Sequence, residues 1–297
     1  MTIKHLHLPQ NPVSKESMKV IFDTGGTKTR VGISKDGHTI DDLIVFPTKP
    51  TDFTSALDDI VSAAQNLRDK HNLTDPVSAV AAGIPSPLNK EKSVILAAPN
   101  LPDWRGRPLK TMLEEKFQAP TYLENDTVMI GIGEAQEGSG QGHEIVVYLT
   151  VSTGFGGARI IDGRPDRNVF GFEPGHQVID KDGPICGCGN IGHLEAIVSG
   201  SGLERTHNQK PEAITDPAVW QQAASDLAIG LHNVLVFWSP DIIVIGGSVM
   251  NSIDLKSVAA QVVANSKIFN EIPPIVAAKL GDQAGLIGAL AHIKNQS

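Results

Sequence analysis

The segment MKVIFDTGGTKTRVGIS, residues 18–34, decides how the rest of the chain is read. An apolar run from Met18 to Phe22 stops at Asp23 and the turn Thr24-Gly25-Gly26-Thr27. A second run, Val31 to Ser34, stops at the turn signal Asp36-Gly37. Strand, glycine turn, strand is a hairpin. The same order returns in YLTVSTGFGGARII, residues 148–161, which closes on Asp162-Gly163. A loose internal repeat of this kind implies two halves of related design, each the size of an ordinary domain.

Between and beyond the hairpins, strand and helix patterns alternate. Phe53 to Lys70 has helical spacing of apolar residues and no internal Gly or Pro. Val77 to Ala82 reads as a buried strand, Asp126 to Glu137 as a helix straight after the run Thr121 to Leu123, and Pro217 to Phe237 as the longest helix. Asp241 to Ile245 is a β-branched strand, and a last helix covers Ala284 to Ile293. The pattern predicts an α/β protein with helices covering its sheets.

Composition narrows the function. The 297 residues suit about two domains at roughly 150 residues each. With 40% hydrophobic and 20% charged residues the chain can bury enough apolar surface to offset chain entropy, so it is not largely disordered. A formal net charge of −8 lacks the basic footprint of a nucleic-acid binder, and no apolar run is long enough for a membrane span. Residues 1–17 read as a polar tail without a signal-peptide core, with His5 and His7 as solvated tail residues. The two cysteines, Cys186 and Cys188, form no disulfide framework and fit a reducing cytoplasm.

Two features carry chemistry. Paired glycines let backbone approach a ligand closely, and successive amides form a concave anion site. Gly25-Gly26, Gly156-Gly157 and Gly246-Gly247 are phosphate-site candidates on that ground; the plain alternative is that they only turn the chain. There is no GxxxxGK[ST] run, and a dinucleotide fingerprint fits poorly because the first turn leads into a strand. The second feature is Cys186-Gly-Cys188 followed by His193 and preceded by His176, with glycines at 187, 189 and 192. Two thiolates and two imidazoles complete a closed tetrahedral Zn²⁺ shell of structural type; the alternative is two reduced buried cysteines with unrelated histidines.

In order, the chain carries FDTGGTK, GIPSPL, APNLPDW, ENDT, STGFGGARIIDGR, EPGH, CGCGNIGHLE and IVIGGSV. From residue 18 to the end it resembles the ROK family of bacterial sugar kinases and sugar-responsive repressors. The resemblance implies a two-domain α/β fold of the actin-like ATPase (ribonuclease H-like) type, with nucleotide and sugar in a cleft between domains. It implies a smaller domain of residues 18–123 plus 284–297 and a larger one of residues 124–283 bearing the zinc loop. It also implies a homodimer.

For chemistry, the resemblance makes Asp126 the base that takes a proton from a hexose hydroxyl, although an Asp at a helix start is also a common N-cap. Asn100, Asn125, Asp126, Glu173, His176 and Glu195 match the family's sugar contacts. Asp23, Gly25, Gly26, Thr153, Gly154, Gly156, Gly157, Gly246 and Gly247 match its site for ATP with Mg²⁺, and Thr27 and Lys28 either touch phosphate or finish the hairpin. His176, Cys186, Cys188 and His193 match its zinc ligands, His193 standing where the family usually has Cys. Other departures are Ser86, expected to alter discrimination at the C1–C2 end of the hexose, and Ser152 and Ala158 in the second turn. The expected activity is ATP-dependent phosphorylation of a hexose, glucose first, with N-acetylmannosamine, mannose or fructose as alternatives and polyphosphate as an alternative donor. A repressor needs an N-terminal helix-turn-helix that 17 residues cannot supply, and a non-catalytic sensor needs neither Asp126 nor the turns.

Overall fold

The computed structural model describes residues 18–98, 100–168 and 171–296, so the tail reading of residues 1–17, with His5 and His7, lies outside the described residues. The first half runs β1 (Lys19–Thr24), β2 (Lys28–Ser34), β3 (Asp42–Pro47), α1 (Phe53–Lys70), β4 (Ala79–Ile84), α2 (Leu109–Phe117), β5 (Thr121–Asn125) and α3 (Asp126–Gln136). The second runs β6 (Ile145–Val151), β7 (Phe155–Ile161), β8 (Arg164–Pro165), α4 (Leu194–Val198), α5 (Gly200–His207), α6 (Pro217–Trp238), β9 (Ile242–Gly246), α7 (Leu255–Asn265), β10 (Ile275–Ala277) and α8 (Ala284–Lys294).

The repeat seen in the two hairpins extends to the whole topology. One sheet has the order β3-β2-β1-β4-β5 and the other β8-β7-β6-β9-β10, the same order five strands later. In each, the first three strands are antiparallel and the last two run parallel to the first. Each half closes with a helix after its fifth strand, α3 in one and α8 in the other.

Strand alternation sorts the apolar residues into three cores, because neighbouring side chains point to opposite faces of a sheet. Val20 and Phe22 of β1 join Val80, Ala82 and Ile84 of β4 beneath α1 and α2. Val147, Leu149 and Val151 of β6 join Ile243 and Ile245 of β9 beneath α4 to α7. The residues between them, Ile21, Ala79, Ala81, Val146, Tyr148, Ile242 and Val244, face a third core built around α3 and α8. The two closing helices therefore lie between the two sheets.

Helix ends follow local chemistry. Asp52 caps α1 by accepting from Ser55 N at 3.0 Å, and α6 begins at Pro217 behind the cap Asp216. α3 and α8 cross with backbone in contact, and only glycine permits that approach. A Cβ on Gly288 would stand 1.7 Å from the Met129 carbonyl oxygen, and one on Gly133 would stand 2.7 Å from that of Ala284. Gly288→Ala should lower the unfolding free energy by about 3 kcal/mol, since the crossing has no room to yield. Denaturant titration reads this as a lower midpoint; an unchanged midpoint contradicts the close crossing.

Candidate active site

The chemistry-bearing residues collect at the carboxyl ends of β1, β5, β6 and β9, where ligands bind in open α/β sheets. After β1 the first glycine turn is closed by Gly25 N donating to Lys28 O at 2.9 Å. Thr48 braces it, its hydroxyl donating to Gly25 O at 2.9 Å and its amide to Thr27 O at 3.0 Å. Gly26, Thr27 and Lys28 are left exposed. After β6 the second turn is closed by Ser152 N on Gly154 O at 2.9 Å and held against the start of α5 by Gly200 N on Ser152 O at 2.7 Å. After β9, Gly247 takes φ 101°, and a Cβ there would be 2.2 Å from Val151 O. That contact seats the third turn on the second, with Ser152 and Ser248 hydroxyls 3.3 Å apart. A cavity of about 160 Å³ opens beside this pair, lined by Ser152, Thr153, Ser201, Glu204, Lys210 and Ser248 among others.

Asp126 stands between the first and second turns. Gly83 separates it from Asp23: a Cβ on Gly83 would lie 3.3 Å from both Asp23 Oδ1 and Asp126 Cα. On its other side the next residue, Thr127, reaches the second turn, where a Cβ on Gly156 would be 2.8 Å from Thr127 Oγ1. The N-cap of α3 is Asn125, whose Oδ1 accepts from Thr127 N at 3.0 Å and Val128 N at 3.4 Å. Asp126 is thus the first helical residue and not the cap, which removes the plain reading of that carboxylate. Its Oδ1 accepts from Thr127 N at 2.7 Å, and burial raises its carboxyl above the ordinary range while this bond opposes the rise.

Asp23 carries the same imbalance. Its carboxyl is pushed up to about 6, by burial first and then by the charge of Asp126, with Arg30 opposing. Arg30 lies 3.6 Å from Asp23 and 3.4 Å from Asp282. A pair of desolvated, mutually repelling carboxylates beside a phosphate-type turn is a donor set that suits a hard divalent cation such as Mg²⁺.

Of the six sugar-contact candidates, five gather. The Glu173 carboxyl is raised by desolvation first; His176 opposes, and Glu195 and Asp126 add to the rise, so these four groups share one electrostatic neighbourhood. Glu195 is tied to the second turn by accepting from Phe155 N at 2.9 Å, and its other oxygen lies 3.7 Å from Cys186 Sγ. Asn125 joins them through the cap of α3. The sixth, Asn100, is exposed and rests against the first turn, where a Cβ on Gly26 would be 3.3 Å from Asn100 Cβ.

The Ser86 side chain is buried, and its hydroxyl donates within its own loop, to Ala97 O or Pro87 O. Ser152 serves the turn contacts described above, and Ala158 is buried in the third core.

His176, Cys186, Cys188 and His193 bring one ligand atom each within 4.8 Å of the others. The two Nδ1 atoms are 3.2 Å apart, Cys188 Sγ is 3.3 Å from His193 Nδ1, and Cys186 Sγ is 3.9 Å from His176 Nδ1. Around a tetrahedral Zn²⁺ such edges measure about 3.3–3.8 Å, so the four residues fit the ion. The loop reaches this shape through Gly189 at φ 93° and Gly192 at φ 73°, where a Cβ would be 1.5 Å from Asp180 O.

Arg30 and Thr127 escaped the sequence reading. The signal for Arg30 was present: counting outward from the glycine turn puts Arg30 directly across from Asp23. Thr127 gave no signal, because its partner Gly156 is 29 positions away on another sheet.

Over residues 20–296 the chain matches the ROK family. It is 30% identical to the glucokinase of Streptomyces coelicolor over 307 aligned positions, which span 90% of this chain and 94% of that one. The crystal structure of a ROK hexokinase from Thermus thermophilus superposes with a TM-score of 0.82 at 31% identity, covering 94% of this chain and 99% of that chain. A ROK family glucokinase from Streptomyces griseus, solved in complex with glucose and AMPPNP, gives 0.76 at 28% identity, covering 95% and 100%. No helix among the described residues is long and apolar enough to cross a membrane.

The Asp23 carboxyl, raised from 3.8 to about 6 in the fold, makes the native state bind an extra proton, so stability falls as pH rises through that window. Asp23→Asn removes the loss. In the ligand-free protein it should raise the melting temperature at neutral pH and change it little near pH ~4, while lowering phosphoryl transfer. A neutral-pH melting temperature equal to or below wild type overturns the destabilisation of the Asp23 carboxylate by burial and by Asp126.

Proposed function

The chain belongs to the ROK family and is a sugar kinase of the actin-like ATPase fold, and we propose that it phosphorylates glucose at the primary hydroxyl, with ATP as donor and Asp126 as general base. The observation that carries this reading is the place of Asp126, a desolvated carboxylate at the start of α3 between the turns after β1 and β6. Burial makes it a stronger proton acceptor than a solvated aspartate, which is what removal of a hydroxyl proton needs.

In this account Asp126 accepts the hydroxyl proton as the oxygen attacks the γ-phosphorus, and the bond from that phosphorus to the bridging oxygen breaks to leave ADP. Backbone amides of the first two turns hold the phosphates, and the cavity beside Ser152 and Ser248 takes the nucleoside end. Asp23 would hold the Mg²⁺ that travels with ATP, which neutralises charge on the phosphates. Asn125, Glu173, His176 and Glu195 orient the sugar, and Asn100 approaches it from the first turn.

Zn²⁺ held by His176, Cys186, Cys188 and His193 belongs to the same proposal, as a structural ion. Both histidines turn Nδ1 toward the cluster, which leaves His176 Nε2 for a sugar hydroxyl. Glu195, two positions after His193, accepts from Phe155 N of the second turn, so the zinc loop shapes the sugar pocket without entering the chemistry. A cytoplasmic homodimer completes the proposal. Phe237, 80% exposed on the last turn of α6, is an apolar group that a second subunit would cover.

A coupled ADP-release assay over glucose, mannose, fructose and N-acetylmannosamine tests the substrate; preference for another hexose replaces glucose in this account. Asp126→Asn should cut kcat by roughly 10²-fold or more with sugar binding kept. The acid limb of kcat/KM should lie above the ordinary carboxylate value of about 4, since the base acts deprotonated and its pKa is raised. Turnover that survives in Asp126→Asn removes the base. Cys188→Ala should release one zinc per chain and weaken both stability and sugar affinity; metal-free wild-type protein by elemental analysis ends the zinc proposal.

A further inference from the structure

Immediately before Asn125 and Asp126 stands Glu124, whose side chain is 8% exposed and which the mechanism above does not use. Its carboxyl is raised by burial, and the charge of Lys92 opposes the rise. Lys92 Nζ lies 3.0 Å from Glu124 Oε2. A buried carboxylate of this kind persists only when a partner compensates it. Lys92 is the partner although it sits 32 positions earlier, at the tip of the loop from residue 85 to 98.

The loop is built to present that lysine. Leu88 and Ile95 pair across it, and Lys92 N donates to Asn89 O at 2.9 Å. The Asn89 side chain accepts from Ser93 N at 2.7 Å and Val94 N at 2.9 Å, fixing the tip. Lys92 itself takes φ 51°, a left-handed conformation unfavourable for a residue with a Cβ. At its base the loop meets the catalytic strand again, where Asn125 Nδ2 lies 3.5 Å from Ser86 O. Asn100 lies two positions past the end of the loop. Within the electrostatic reach of Lys92, His292 of α8 is held neutral, its pKa pushed down to about 4 by burial first and then by Lys92. It brings no competing charge.

We propose that Lys92 and Glu124 are positioning residues: their ion pair clasps the loop 85–98 to the end of β5 and so sets the affinity for the hexose. The proposal rests on the reading of Asn100 and Asn125 as sugar contacts. The pair touches neither the reacting atoms nor the nucleotide turns, so its loss should appear in sugar binding alone.

Lys92→Met should raise the hexose KM about tenfold and leave kcat and the nucleotide KM within about twofold. Lys92→Arg, which keeps the charge, should restore the hexose KM, a rescue that a loss of packing would not show. Glu124→Gln should match Lys92→Met, and the double variant should be no worse than the poorer single, because the two changes break one interaction. Should Lys92→Met fail to fold, the double variant, which leaves no lone buried charge, carries the test through the same KM comparison. A hexose KM within twofold of wild type, or single effects that multiply in the double, overturns the clasp. Failure of the underlying site reading looks different: Asn100→Ala and Asn125→Ala then leave the hexose KM unchanged, whatever Lys92 does.

Discussion

The contact between α3 and α8 fixes everything that follows from this structure. Two helices that close two equivalent halves meet at Gly133 and Gly288, near enough that the carbonyls of Met129 and Ala284 fill the space of absent side chains. That approach lets both helices lie between the sheets and share one apolar core with the inner faces of β1, β4, β6 and β9. Asp126 begins the first of these helices, so its height between the two glycine turns is set by the crossing. A wider separation would move the carboxylate away from Gly83 on one side and Gly156 on the other.

Placing a carboxylate there has an electrostatic cost, visible in Asp23 and Asp126 together. Both are raised by burial, and Asp126 adds to the rise of Asp23 across Gly83, with Arg30 offsetting part of it. Such tension is common where a fold serves a reaction at the expense of its own stability. Glu195 extends the arrangement in the other direction. One of its oxygens accepts from the second turn while its backbone follows His193 by two positions, so the nucleotide side and the Cys/His loop are mechanically joined.

Much of this was legible in the sequence. The hairpin at residues 18–34 and its echo at 148–161 disclosed the repeat, because glycine turns between apolar runs have a local signature. Phe53–Lys70 was readable to both ends, since Asp52 caps it and no Gly or Pro interrupts it. β3 and β10 gave no comparable signal: they are edge strands, partly exposed, with Val45 47% exposed, so their apolar alternation is diluted. Asp126 could not be told from an N-cap by position alone; the structure decides it through the side chain of Asn125, one residue earlier. Ser86 adds a hydroxyl to the loop after β4, and that hydroxyl bonds to carbonyls of its own loop, which no single-residue argument foresees. Lys92 and Glu124 were invisible for a simpler reason, that a pair 32 positions apart exists only once the loop has folded onto β5.

A crystal structure with glucose and a non-hydrolysable ATP analogue bound together would weigh the account as a whole. An Asp126 carboxylate oxygen should lie within about 2.6–3.2 Å of the sugar's primary hydroxyl, with that hydroxyl facing a γ-phosphate held by the turns after β1 and β6. A glucose whose primary hydroxyl points away from Asp126, or phosphates seated away from both turns, would contradict it.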